Sequence, residues 1–310
     1  MTECERIIEQ GILPESFFKE ETICDFFVDK NRKKIWAVGI DLLAKFDFVC
    51  RKHNLCYSLA FGSLLGCVRH NGFIPWDDDI DVFMPRKDYE RLWLYKREFE
   101  YPYFLQFPGK DNGYAFSFAK LRNSNTTGIS WAFRYESFNQ GIYLDIFPLD
   151  NFNPNNIEKD IEQLKNLVAE GSALMRRSCP YPDENDLSKL EQFPIFRTCQ
   201  DIVRDTDSLL RKYNNDNVDS YIAWSILTYH YKHIVYKKEM FDNLIEVVYY
   251  GHKVFIPRNY DEVLRNTYGD YLQLPPIDAR GVWHSNSILN PDVPYKESQE
   301  KLWKEDRIMF

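Results

Sequence analysis

The chain has 310 residues, 44% of them hydrophobic and 28% charged, with a formal net charge of −8. That length can bury one large core or two small ones, and the acidic balance argues against a polymeric nucleic-acid partner, which needs a basic footprint. Seven cysteines without a CxxC pair argue against a zinc site or a disulfide scaffold and suit a reducing cytosol; with no basic, apolar leader and no long apolar run, the expectation is a cytoplasmic protein whose membrane contact is peripheral, at the inner face.

Residues 1–30 read as an N-terminal extension. From Asn31 to Asn54 the apolar positions Ile35, Val38, Leu42, Phe46 and Val49 recur every three or four residues, which predicts a helix. "NLCYSLAF" then reads as a strand, "SLLGCVRH" as a short helix and "HNG" as a turn. "DIDVFM" alternates and predicts a strand ended by Pro85, before a helix over "RKDYERLWLYKREFE" with Tyr89, Leu92 and Trp93 inward. "GYAFSFAKLR" and "GIYLDIFPLD" predict two more strands. Beyond Asp150 the pattern turns helical over "NIEKDIEQLKNLVAEGSALMRR" and much of "LEQFPIFRTCQDIVRDTDSLLRKY". "VVYYGHKVFIP" predicts a hairpin, and "NYDEVLRNTYG" a helix with Asn259 as cap, Glu262 at the capping-box position and Gly269 as stop. The expected organisation is an α/β-like core over 31–150, a helical region over 151–243, and a C-terminal hairpin and helix over 244–310 that pack back.

Four aspartates, Asp77, Asp78, Asp79 and Asp81, crowd the start of the "DIDVFM" strand. Side chains alternate along a strand, so Asp79 and Asp81 share a face while Ile80 and Val82 point into the core. Like charges that close need a cation, and hard oxygen donors suit Mg²⁺ or Mn²⁺. A calcium loop fits poorly, because Val82 stands where the sharp turn needs glycine. Gly62-Ser63 sits where a strand turns into a helix, a place suited to phosphate, and Ser63 precedes Asp79 by sixteen positions. Asp145, alone among apolar residues in "YLDIF", supplies the third carboxylate that a metal-ion site needs for in-line phosphoryl transfer. Asp77 is the better local helper than Asp78, and Asp150 reads as a turn residue.

The stretch "SLAFGSLLGCVRHNGFIPWDDDIDVFMPRKDYERL" resembles the signature block of the LicD phosphotransferases, which include fukutin and fukutin-related protein. "FAKLRNSNTT", "GIYLDIFPLD" and "FIPRNYDEVLRNTYGDYLQLPP" resemble further blocks of that family. The resemblance implies an α+β fold: a nucleotidyltransferase-type mixed sheet with flanking helices and a helical insertion. It also implies transfer of a phosphorylated alcohol, phosphocholine first, from a CDP-linked donor to a hydroxyl of a surface saccharide or glycolipid precursor. Asp79, Asp81 and Asp145 would then hold the metal, with Asp145 equally eligible as general base. Gly62, Ser63, Arg69, Lys120 and Arg122 would face the donor's phosphates. One departure is that only His284 stands where the family often has paired histidines.

A choline group would want an aromatic or acidic cradle, and Trp76 and Trp131 are among the rings available; Trp224, Tyr229 and Tyr231 are placed to frame an acceptor or simply to fill a helical core. Two other readings compete. A GT-A glycosyltransferase also uses a DxD and a metal on a sugar nucleotide, but needs neither the Gly-Ser turn nor the later acidic strand. A non-catalytic nucleotide-binding relative would not need Asp79, Asp81 and Asp145 intact.

Overall fold

The computed structural model describes residues 1–176, 197–223, 234–281 and 287–309. Its class is α+β, as expected. Helix α1 (Glu3–Glu9) and the hairpin β1 (Glu21–Ile23) with β2 (Phe26–Val28) lead into α2 (Lys30–Lys52). The Asp29 carboxylate caps α2 by accepting the Arg32 N–H at 2.7 Å. The stripe Ile35, Val38, Leu42, Phe46 and Val49 is buried, as its spacing predicts. The N-terminal extension is not loose: Ile7, Leu13 and Val28 join the core, and the Glu3 carboxylate accepts from Asn123 and Asn125 at 2.7 and 2.8 Å.

The central sheet is built on a long strand, β8 (Ile142–Asn151). On one side β8 pairs in parallel with β4 (Ile80–Pro85), and β4 pairs with the short β3 (Ser58–Leu59). On the other side its first half pairs antiparallel with β6 (Ala119–Asn123), and β5 (Tyr103–Gln106) lies beyond. Its last residues pair with β9 (Ser220–Ala223), which pairs with β10 (Val235–Lys237). The stretch 151–243, expected to be helical, does hold α5 (Ile157–Arg176) and α6 (Cys199–Leu210). It also contributes these two strands to the sheet, too short to show a period of two. Trp224, Tyr229 and Tyr231 lie outside the described residues.

The expected helix over 86–100 is α4 (Arg86–Leu92) followed by a 3₁₀ segment from Trp93 to Glu98. The expected strand over "GYAFSFAKLR" is reduced to β6, so residues 113–118 form a loop. Strand β7 (Thr127–Ser130) pairs with β13 (Ser287–Asn290). The hairpin β11 (Leu244–Tyr249) with β12 (His252–Pro257) forms as expected, followed by α7 (Tyr260–Tyr268) and α8 (Tyr295–Met309). Asn259 precedes α7 but makes no side-chain cap bond; its amide donates to the Glu239 carbonyl instead. Gly269 ends α7 with φ at 68°, as its position predicts. Among the described residues no helix is long and apolar enough to cross a membrane.

Candidate active site

In the β4–β8 pair, Asp81 stands opposite Asp145. Alternation puts Asp79 on the same face as Asp81. Asp79, Asp81 and Asp145 each offer a carboxylate oxygen, and these lie within 4.8 Å of one another. Asp77, Asp78 and Asp79 form a second group of the same span, so Asp79 belongs to both. The loop that carries them is tied to α2: the Asp77 carbonyl accepts from Trp36 Nε1 at 2.8 Å and from Arg32 Nη1 at 3.0 Å.

The electrostatics are those of a carboxylate group short of positive charge. Burial pushes the Asp81 carboxyl well above its usual range, with Asp79, Asp145 and Asp77 adding to it and Lys120 opposing. A donor set made of carboxylate oxygens fits Mg²⁺ or Mn²⁺.

Lys120 reaches the group from β6, where it stands opposite Asp145. Its Nζ donates to Asp145 Oδ1 at 2.5 Å, and the two residues are 5% and 7% exposed. Burial pulls the Lys120 pKa down while Asp145 pulls it up. The same ammonium lies 3.5 Å from the ring centre of Tyr143, 5.1 Å from Phe118 and 5.8 Å from Phe116. Tyr143 precedes Asp145 by two positions and shares its face; period-two reasoning on "YLDIF" could have found it. Tyr268, at the end of α7, borders the group too: desolvation, then Tyr236, Asp81, Asp77 and Asp79, push its hydroxyl well up.

Gly62 and Ser63 serve the acidic strand directly. Helix α3 (Phe61–His70) starts with Phe61 at φ +39°, its ring against Phe83 and Phe147 at 4.8 and 5.3 Å. That turn lets Ser63 Oγ accept the Asp81 N–H at 2.9 Å. A Cβ on Gly62 would fall 2.5 Å from Asp77 Oδ2, so the Asp77 carboxylate lies against the Gly62 backbone and a side chain there would displace it.

The two arginines are engaged elsewhere. Arg69 donates to the carbonyls of Tyr271 at 2.7 Å and Gln273 at 3.4 Å, and to His70 Nε2 at 2.9 Å. Arg122, buried, donates to Gln106 Oε1 at 2.6 Å and to the Gly141 carbonyl at 2.8 Å. His284 lies outside the described residues.

Residues 54–170, which carry every one of these aspartates with Gly62, Ser63 and Lys120, match the family model LicD/FKTN/FKRP, nucleotidyltransferase domain. This stretch belongs to the LicD family. Over a longer span that includes these residues, the chain is 28% identical over 263 residues to the lipopolysaccharide cholinephosphotransferase LicD of Haemophilus influenzae, covering 80% of this chain and 93% of that one. An uncharacterized protein of Rickettsia prowazekii is 43% identical over 49 residues, covering 16% of this chain and 18% of that one. One of Rickettsia typhi is 49% identical over 37 residues, 12% of each chain.

Proposed function

We propose that this protein transfers phosphocholine from a CDP-linked donor to a hydroxyl of a cell-surface saccharide or glycolipid, using a divalent cation held by Asp79, Asp81 and Asp145. The observation that carries the reading is the in-register pair Asp81 and Asp145 on neighbouring parallel strands, with Asp79 beside them, inside a LicD domain. The relative from Haemophilus influenzae is, by its name, a lipopolysaccharide cholinephosphotransferase.

When bound, Mg²⁺ or Mn²⁺ would neutralise the donor's diphosphate and favour in-line displacement. The protein's own residues do the positioning. Ser63 fixes the Asp81 backbone, and in the absence of donor the Lys120 ammonium donates to Asp145 Oδ1.

Incubation with CDP-choline and Mg²⁺ should release CMP, and chelation should stop it. Release of UDP from a UDP-sugar instead would replace this reading with the glycosyltransferase. Nucleotide binding without release from either donor would leave the non-catalytic relative.

A further inference from the structure

We infer that Tyr143, Phe118 and Phe116, with Asp145, form the seat for the donor's quaternary ammonium, and that the Lys120 ammonium holds this seat until the donor binds. The inference rests on the phosphocholine reading above and deepens it.

The seat already holds an organic cation. Ring faces attract cations electrostatically within about 6 Å of the ring centre, and the Lys120 Nζ meets three rings inside that range. Asp145 adds a carboxylate oxygen at 2.5 Å. Phe118 is buried, while Phe116 and Tyr143 are partly exposed. The other rings considered are engaged by fixed cations: the Arg280 guanidinium lies 5.2 Å from Trp76, and that of Arg134 4.3 Å from Trp131. Arg122 also faces Tyr143, at 5.0 Å, but its bonds to Gln106 and Gly141 hold it in place.

The location suits a short donor. In phosphocholine a two-carbon arm separates phosphorus from nitrogen. Asp145 contributes to both the carboxylate group and the seat, so a phosphate at the first places an ammonium beside the second. Lys120 is a mobile-stemmed point charge, and phosphate oxygens give it a new anionic partner as it leaves. The exchange makes and breaks no covalent bond.

The test begins with Lys120→Ala, which empties the seat. Titration calorimetry with tetramethylammonium chloride in metal-free buffer should show binding about tenfold tighter than to wild type. Adding Tyr143→Leu should erase that gain. No gain in Lys120→Ala would overturn the proposal. Because Lys120→Ala leaves Asp145 without its cation and can unfold, Tyr143→Leu alone supplies a second readout. Wild type should favour CDP-choline over the CDP ester of 3,3-dimethylbutanol, its neutral carbon isostere, by about tenfold. Tyr143→Leu should lose that preference and keep its affinity for CMP. An unchanged preference would also overturn the proposal. If wild type binds neither CDP ester, the proposed function fails, and the tetramethylammonium titration alone decides on the seat.

Discussion

Asp145 and Asp150 lie five residues apart on β8, both buried, and they are managed in opposite ways. Asp150, 0% exposed, accepts from Arg86 Nε at 2.7 Å, from Arg86 Nη2 at 2.5 Å and from Asn214 at 2.7 Å. Its charge is met by a bidentate guanidinium, the strongest form of such a pair. Asp145 has one lysine and shares its surroundings with Asp79 and Asp81. An odd spacing puts the two aspartates on opposite faces of the strand. Burial of a carboxylate therefore does not identify a site; the balance of cations to carboxylates does.

The largest expected effect tests the cation-poor end of β8, the open end, where Asp81 stands opposite Asp145; the end at Asp150, met by Arg86, is the closed one. Asp81→Asn keeps the shape but removes a ligand charge, and turnover should fall on the order of 10³-fold, as when a key electrostatic group is lost. Metal-free stability should match or exceed wild type, because one member of a repelling set is gone. CMP release and urea denaturation read the two quantities. Wild-type turnover in this variant would remove Asp81 from the site.

The closed end should behave in reverse. Asp150→Asn leaves the buried Arg86 guanidinium without its bidentate carboxylate and should cost about 3 kcal/mol in urea denaturation, with CMP release per folded molecule unchanged. A loss of activity without a loss of stability would erase the distinction between the two ends. The smallest effect sharpens it. Asp207 also meets Arg86, at 3.2 Å, but its side chain is 42% exposed. Asp207→Asn should cost under about 1 kcal/mol. A cost equal to that of Asp150→Asn would show that the guanidinium depends on both carboxylates alike.

The open end was legible in the sequence because its signals are local. Asp79 and Asp81 alternate with Ile80 and Val82, so strand periodicity puts those two on one face, and Asp145 is conspicuous as a lone acid among apolar residues; that it stands opposite Asp81 is set by the register of β4 on β8. The partners were not legible, because they depend on register between distant segments. Nothing in "FAKLR" shows that Lys120 stands opposite Asp145. Asp150 read as a turn residue for the same reason: Arg86 is 64 positions away. In the fold, α2 and β4 had enough turns or alternations to be seen, while β9 and β10, with four and three residues, did not. Gly62 was read as a close approach for phosphate, and the group beside its backbone in the structure is the Asp77 carboxylate.

The turn that starts α3 limits how this chain can drift. Phe61 sits in left-handed backbone, which costs a residue with a Cβ on the order of 1–2 kcal/mol and costs glycine almost nothing. Its ring, however, fills the gap between Phe83 and Phe147, and emptying such a place costs about 3–5 kcal/mol. Packing outweighs backbone, so the residue best suited to the dihedral angle is the wrong one for the position. Replacement by glycine relaxes the chain and opens a void; replacement by another large side chain keeps the strain and changes the fit. Position 61 is therefore constrained from two sides: an exchange there is cheapest when matched by a change at Phe83, on the neighbouring strand β4, or at Phe147, on β8 beyond it.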